Sequence, residues 1–315
     1  MPFDFSAVKA PFRMQPGLRR LAEGTAQLTP NGLNSPALSE KLAVLTGHAD
    51  QALMAAPGFD AAPALRALVQ HAVAERPEAF AWDGAGRFDA PQLGWWLIDG
   101  APHGSGPREI GACLLALPAQ WRLAALLSLS FAEDFAVIDG ATGHIPWLAV
   151  CLPSHWAPEA KVGRHFAEVH APVADNQLLI TASDHLARLV TGTERWERFV
   201  WTITRHARLD SHPRRCEPGS WPSNAEADAV ALVAQAHFRT ERQTFIPLPR
   251  HRQAIFTLHD DVQPLAQAIT EPAQAQLVHD ALASMSASVL AYRSLTDVRH
   301  RLLQWLSARA VSQGT

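Results

Sequence analysis

Between residues 130 and 173 the chain gathers side chains that can carry protons, hold anions or ligate a metal. The acid pair Glu133-Asp134 interrupts the apolar run 131–138, His155 and Trp156 follow Pro153-Ser154, Lys161 precedes Gly163, and His165, Glu168 and His170 close the stretch. Burying such groups without partners costs roughly 2–7 kcal/mol each on transfer scales, so they need partners or a ligand. A carboxylate here can relay protons or bind a cation. An imidazole can ligate a metal, and a lysine or arginine can hold an acidic group. The spacing His165-x-x-Glu168-x-His170 does not make a zincin site, because histidines five apart on a helix point about 140° away from each other. Its order also misses H-x-x-E-H by one position. No G-x-S-x-G elbow surrounds Ser154, which reads as a turn or cap residue, and the glycines of 100–107 lack the Gly-Lys-Ser/Thr ending of a phosphate loop.

These groups have to be positioned by elements that the apolar pattern predicts. Residues 131–138 and 145–152, with Asp139-Gly140 and Thr142-Gly143 between them, read as a hairpin. Neighbouring Glu133 and Asp134 then point to opposite faces, so at most one turns inward. Residues 158–169 read as a helix ended by His170-Ala171-Pro172, since the residue before a proline is pushed out of the α region, and His170 falls just past the helix end. Period-two alternation makes 196–204 a strand, with Val200, Thr202 and Thr204 on one face, and 241–248 pairs with 254–259. Residues 91–111 and 206–221 read as loops. Helices are expected near 39–53, over 63–76 until Pro77, at 183–189 capped by Ser183, after Asn224 to about Phe238, and over 272–290 and 296–309. The fold class is α+β: an antiparallel sheet with helices at both ends. Residues 1–90 form an N-terminal wrapping arm and helices, 91–262 the core, and 263–315 C-terminal helices packed on it, as one continuous domain.

Composition excludes several function classes. A formal charge of −3 spread over 315 residues gives no broad attraction to nucleic acid or to an anionic membrane surface. No stretch of about 18 apolar residues is present and the start has no basic, then apolar, signal pattern, so a cytoplasmic protein is expected. Cys113, Cys151 and Cys216 form no C-x-x-C pair, which rules out a zinc knuckle or a four-thiolate iron–sulfur cluster built from this chain alone. Ten tryptophans against one tyrosine suit a large core or a planar ligand.

Five motifs carry a resemblance: Phe131-Ala132-Glu133-Asp134-Phe135, Val150-Cys151-Leu152-Pro153-Ser154-His155-Trp156, Lys161-Val162-Gly163, His170-Ala171-Pro172-Val173, and Arg239-Thr240-Glu241-Arg242-Gln243-Thr244. In this order, across about residues 10 to 295, the chain resembles the haem-dependent oxidative N-demethylase alpha-subunit-like family. It carries Ala132 where the family's motif has Gln, His155 where a small residue follows Pro-Ser, and Ala171 after the motif histidine.

The resemblance implies a PAS-like antiparallel sheet holding haem b, and oxidation of a small secondary amine of the dimethylamine kind to primary amine and formaldehyde. It implies dioxygen as oxidant and, because the chain has neither a dinucleotide fingerprint nor a thiolate cluster, electrons from a separate flavin/iron–sulfur reductase subunit in a hetero-oligomer. With that cofactor, His170 is the expected axial ligand of the haem iron, with His165 and His155 as the other candidates. Lys161 and Arg242 are expected on the haem carboxylates and Trp156 on the haem face, together with Trp147 and Trp201, while Glu133 or Asp134 binds the amine or relays protons. Arg242 can equally pair with Glu241 or Glu133 inside the sheet. The other reading of function is a PAS-like haem or small-molecule sensor that binds without turnover.

Overall fold

The computed structural model describes residues 3–217, 221–223 and 228–311. Its centre is the hairpin His237–Leu248 and Gln253–Pro264, two strands in continuous antiparallel register from His237↔Pro264 to Leu248↔Gln253. Runs rich in Thr, Phe, Ile and Val with alternating polarity favour such long strands. The turn is closed by Pro249–His251, with Arg252 in the left-handed region at φ 51°. Trp196–Thr204 pairs with the first of these strands and Asp134–Asp139 with the second. Trp147–Ala149, Leu53–Ala55 and the edge pair Arg19–Arg20 complete a seven-strand antiparallel sheet.

Strand alternation gives the sheet two different faces. Phe135, Val137, Ile246 and Ile255 join a core with the helices Pro36–Gly47, Ala62–Glu75, Arg108–Ala116 and Ala119–Ser130. The first of these starts on Ser35, which accepts from Leu38 N and precedes a proline at the first helical position. A second core joins Trp201, Ile203 and Phe238 to the helices Pro272–Ala283, Ala287–Tyr292 and Arg299–Val311. On the other face, Ala136, Ile138, Phe245, Phe256 and Leu258 line a cavity roofed by the segment 145–190 and by Met14, Pro16 and Leu18 of the N-terminal arm. No helix among the described residues is long and apolar enough to cross a membrane.

Several elements differ from the sequence reading. Residues 91–111 are not loop: Trp95–Ile98 and Ala101–Gly104 form the end of a four-strand meander with Ala81–Trp82 and Arg87–Ala90, and a helix begins at Arg108. Its turn, Asp99-Gly100, has φ of 48° and 78°, the pair of positive values that a two-residue hairpin turn demands. The expected helix 158–169 is broken, because Gly163 adopts φ 72°. What remains is a single tight turn at Pro158–Ala160 and a short helix, Phe166–His170. His170 is therefore the last helical residue, and Ala171 stays in the α region at φ −56°, ψ −37° despite Pro172. Asn176 Nδ2 compensates by donating to the carbonyls of His170 and Ala171, at 3.2 and 2.7 Å. The helix Ser183–Val190 is preceded by Ala182 and uses no side-chain cap, and 272–290 divides after Ala283. Of the expected helix after Asn224, Ala229–Val233 is present and 224–227 lie outside the described residues. The following strand starts at His237 rather than Glu241.

Candidate functional site

The cavity opens to solvent at its mouth, and its walls are mainly aliphatic and aromatic. One strand contributes Glu241, Gln243 and Phe245, and its neighbour contributes Arg198 and Val200, with Gln243 directly opposite Arg198. The roof contributes Trp156, Lys161, Phe166, Val169 and His170, and the C-terminal helices contribute Tyr292 and Arg293.

His170 is held by its own helix. Its Nδ1 lies 2.8 Å from the carbonyl oxygen of Phe166, four residues back, and its ring packs on Phe166 with centroids 4.2 Å apart. An Nδ1 that donates to a carbonyl leaves Nε2 as the basic nitrogen. Burial, with Arg198 and Lys161 as cationic neighbours, lowers the imidazole to about 4 in spite of the Phe166 carbonyl, so the ring is neutral at physiological pH. Lys161 donates to the Val169 carbonyl and lies 6.0 Å from the Trp156 ring centroid, and burial lowers its ammonium.

Arg198 is the group that the sequence reading missed. Its buried Nε has no hydrogen-bond partner among the described residues, and enclosure lowers the guanidinium against the opposing pull of Glu241. Carrying the alternation of Val200, Thr202 and Thr204 back by two residues would have found it on the cavity face. Arg293, lowered by burial to about 10, donates to the Trp201 carbonyl at 2.6 Å and packs over Phe12 and Trp201. Nothing local in the sequence brings Tyr292 and Arg293 to this wall, since they reach it from the C-terminal helices.

Other expected site residues are elsewhere. Glu133 is 1% exposed, lies 2.8 Å from His259 Nδ1 and accepts from Thr29 N, outside the cavity lining. Asp134 pairs with Lys41 Nζ at 3.0 Å and accepts from Leu152 N at 2.6 Å, likewise outside the lining. Arg242 donates to Glu197 and to the Ala26 carbonyl, so its partner is neither Glu241 nor Glu133. His165 caps the helix Phe166–His170 through Nδ1 and meets Asp184 through Nε2 at 3.2 Å, which leaves neither nitrogen free. His155, at φ 62°, lines a second, more polar cavity beside Ser154, where burial and then Arg239 and His206 lower it to about 4. Trp156 lines the first cavity, Trp201 the second, and Trp147 stacks on Trp121 in the core.

Comparison with protein-family models matches residues 36–303 to haem-dependent oxidative N-demethylase, alpha subunit-like. The chain belongs to that family. Haem dependence is therefore the family's chemistry, and the cavity of this demethylase-like chain fits such a group on three counts. Its apolar walls suit a flat macrocycle, His170 offers a neutral imidazole whose Nε2 has no hydrogen-bond partner among the described residues, and Arg198 is a cation in the wall whose buried Nε is likewise without one.

Proposed function

We propose that this chain binds haem b in the cavity between the sheet and the roof segment, where His170 would supply the imidazole to its iron, and oxidatively demethylates a small secondary amine. Family membership supplies the class of reaction, and the neutral His170 imidazole, fixed through the Phe166 carbonyl in an apolar cavity, carries the reading. The all-antiparallel strand arrangement supports a PAS-like description of the sheet.

Haem, when bound, supplies the redox centre at which dioxygen is reduced and the carbon beside the amine nitrogen is oxidised. For dimethylamine, one amine, one dioxygen, two electrons and two protons give methylamine, formaldehyde and water. The chain's own residues do the rest. Ala136, Ile138, Leu148, Val200 and Leu258 exclude water, Trp156 presents a flat face, and Lys161 and Arg198 are the residues that would hold the haem carboxylates. Glu241 is the carboxylate lining the cavity and is suited to a small ammonium group. Electrons would come from a separate flavin/iron–sulfur reductase, in keeping with an alpha-subunit-like chain in a hetero-oligomer.

The test is the absorbance spectrum of the purified protein. A Soret band is expected in wild type, His155→Ala and His165→Ala, and its loss or a change of ligation in His170→Ala. Formaldehyde is expected from dimethylamine with oxygen and reductant. A colourless wild-type protein supplied with haem overturns the reading.

A further inference from the structure

The demethylation balance consumes two protons, yet the roof and walls of the first cavity are mostly hydrocarbon. The second cavity is more polar than the first, is lined by His155, Thr202, Ser211 and Arg239 among others, and meets the first at Ser154, Glu241, Tyr292 and Arg293. Ser154 is the hydroxyl of the Pro-Ser turn, read from sequence as a cap or turn residue. In the structure its Oγ donates to Asp260 Oδ1 at 2.8 Å and accepts from Arg239 Nε at 2.7 Å.

We infer that Asp260 and Ser154 form a proton relay that passes protons from the polar cavity into the apolar one, with Arg239 holding both in line. The inference rests on the demethylase reading above. Asp260 is a positioning and proton-storing residue, since it lines neither cavity and acts through Ser154.

The geometry specifies the transfer. With Asp260 ionised, the Ser154 proton points at its carboxylate and Arg239 fills an Oγ lone pair. Once Asp260 takes up a proton, its O–H can donate to Oγ, which frees the serine hydrogen to turn to an acceptor in the first cavity. Transfer then breaks the Ser154 O–H and Asp260 O–H bonds, forms one O–H on the acceptor and one on Ser154, and leaves Asp260 ionised. It is recharged through Ser154, which also lines the polar cavity, as Oγ takes a proton from water there and passes its own to the carboxylate, leaving hydroxide to solvent. Asp260 is 8% exposed and shares a strand register with Glu241, directly opposite.

Every charged group around it bears on its titration. Burial pushes the Asp260 carboxyl up to about 7; Arg239, with Nη2 3.0 Å away, opposes this, Glu241 and more distantly Asp134 add to it, and the Ser154 hydroxyl opposes it. Asp134 is itself paired with Lys41, and Arg239 is flanked by His155 and His206. A store protonated near neutrality is what a relay needs.

Three variants of the haem-loaded protein test this: Ser154→Ala, Ser154→Thr and Asp260→Asn. Each is read by Soret band, by formaldehyde formed and peroxide released per electron pair, and by pH profile. The wild-type rate falls as pH rises through neutrality, because the storing carboxyl loses its proton. Ser154→Ala is expected to keep the Soret band, lose about a hundredfold in formaldehyde rate and divert electrons to peroxide, the scale of a lost positioned proton transfer. Ser154→Thr restores most of the rate, and Asp260→Asn abolishes the neutral limb. Infrared titration of cofactor-free protein gives a second readout: a protonated-carboxyl band that disappears with a midpoint near neutrality, is absent in Asp260→Asn and titrates higher in Ser154→Ala. A Ser154→Ala enzyme with wild-type rate and pH profile overturns the relay, as does a wild-type titration without a band that Asp260→Asn removes. A wild type without a Soret band defeats the cofactor reading instead, and the infrared titration alone then decides whether Asp260 stores the proton.

Discussion

Lys41 Nζ lies 3.0 Å from Asp134 Oδ1, and both side chains are shut away from solvent. The same ammonium donates to the Phe131 carbonyl at 3.0 Å, so one lysine from the first long helix ties down the strand that carries the acid motif. In this setting the acid pair holds the fold together. Removing one member of a buried ion pair leaves an uncompensated charge, at a cost of about 3–5 kcal/mol. Lys41→Met is expected to lose stability on that scale in urea unfolding, and Lys41→Met with Asp134→Asn to recover part of it. A neutral effect of Lys41→Met would contradict the structural role.

Glu133 gives the fold an acid limit. Burial raises its carboxyl, but His259 and the Thr29 N–H outweigh that and hold it below the usual carboxylate range. A carboxyl depressed in the folded state contributes stability that is fully present above its unfolded pKa and is lost as pH falls through the folded one. Wild-type stability should therefore decline below about pH 4.5, the ordinary glutamate range. Glu133→Gln should flatten that decline and lower stability at neutral pH by about 2 kcal/mol, the scale of a hydrogen bond to a charged group. Chemical denaturation at a series of pH values reads both effects.

Gly111 shows packing overriding helix propensity. Inside a helix, glycine to alanine ordinarily stabilises by about 1 kcal/mol. At Gly111 an added Cβ would stand 2.1 Å from the Trp95 ring, which donates through Nε1 to the Pro107 carbonyl. Gly111→Ala is expected to destabilise, with a lowered melting temperature, whereas a rise would mean that the Trp95 ring moves freely.

How much of this was legible beforehand follows from the range of each interaction. Local patterns located the central strands and the hairpin that starts just after Glu133, because alternation and turn residues act over a few positions. The helix 158–169 failed at one residue, Gly163, whose positive φ breaks what the apolar spacing suggested. Of the candidate site, the sequence brought together His170, Lys161 and Trp156, which share a cavity because one roof segment carries all three. Glu133 and Asp134 were hidden by partners far away in sequence, His259 and Lys41, which no local pattern announces. Asp260 and Arg293 reach their places only through the folded sheet and the C-terminal helices.

Under the proposed haem reading, Arg198 would anchor the cofactor while Arg242 holds the sheet together. They lie on adjacent strands, one cation enclosed in the cavity wall with an orphaned Nε, the other bound to Glu197 and the Ala26 carbonyl. Arg198→Met removes a charge that its partly enclosed site disfavours and that has no ion-pair partner among the described residues, so the cofactor-free protein should be about as stable as wild type. Haem affinity should fall by roughly 10- to 100-fold, the worth of one charge-assisted hydrogen bond to a carboxylate. Arg242→Met should do the reverse, costing about 3–5 kcal/mol of stability by stranding Glu197 while the remaining folded protein keeps its haem affinity. Haem titration followed at the Soret band, alongside urea unfolding of the cofactor-free proteins, distinguishes the two. If Arg242→Met loses affinity and Arg198→Met does not, the arginine expected from the sequence motif is the haem anchor and the one in the cavity wall is not.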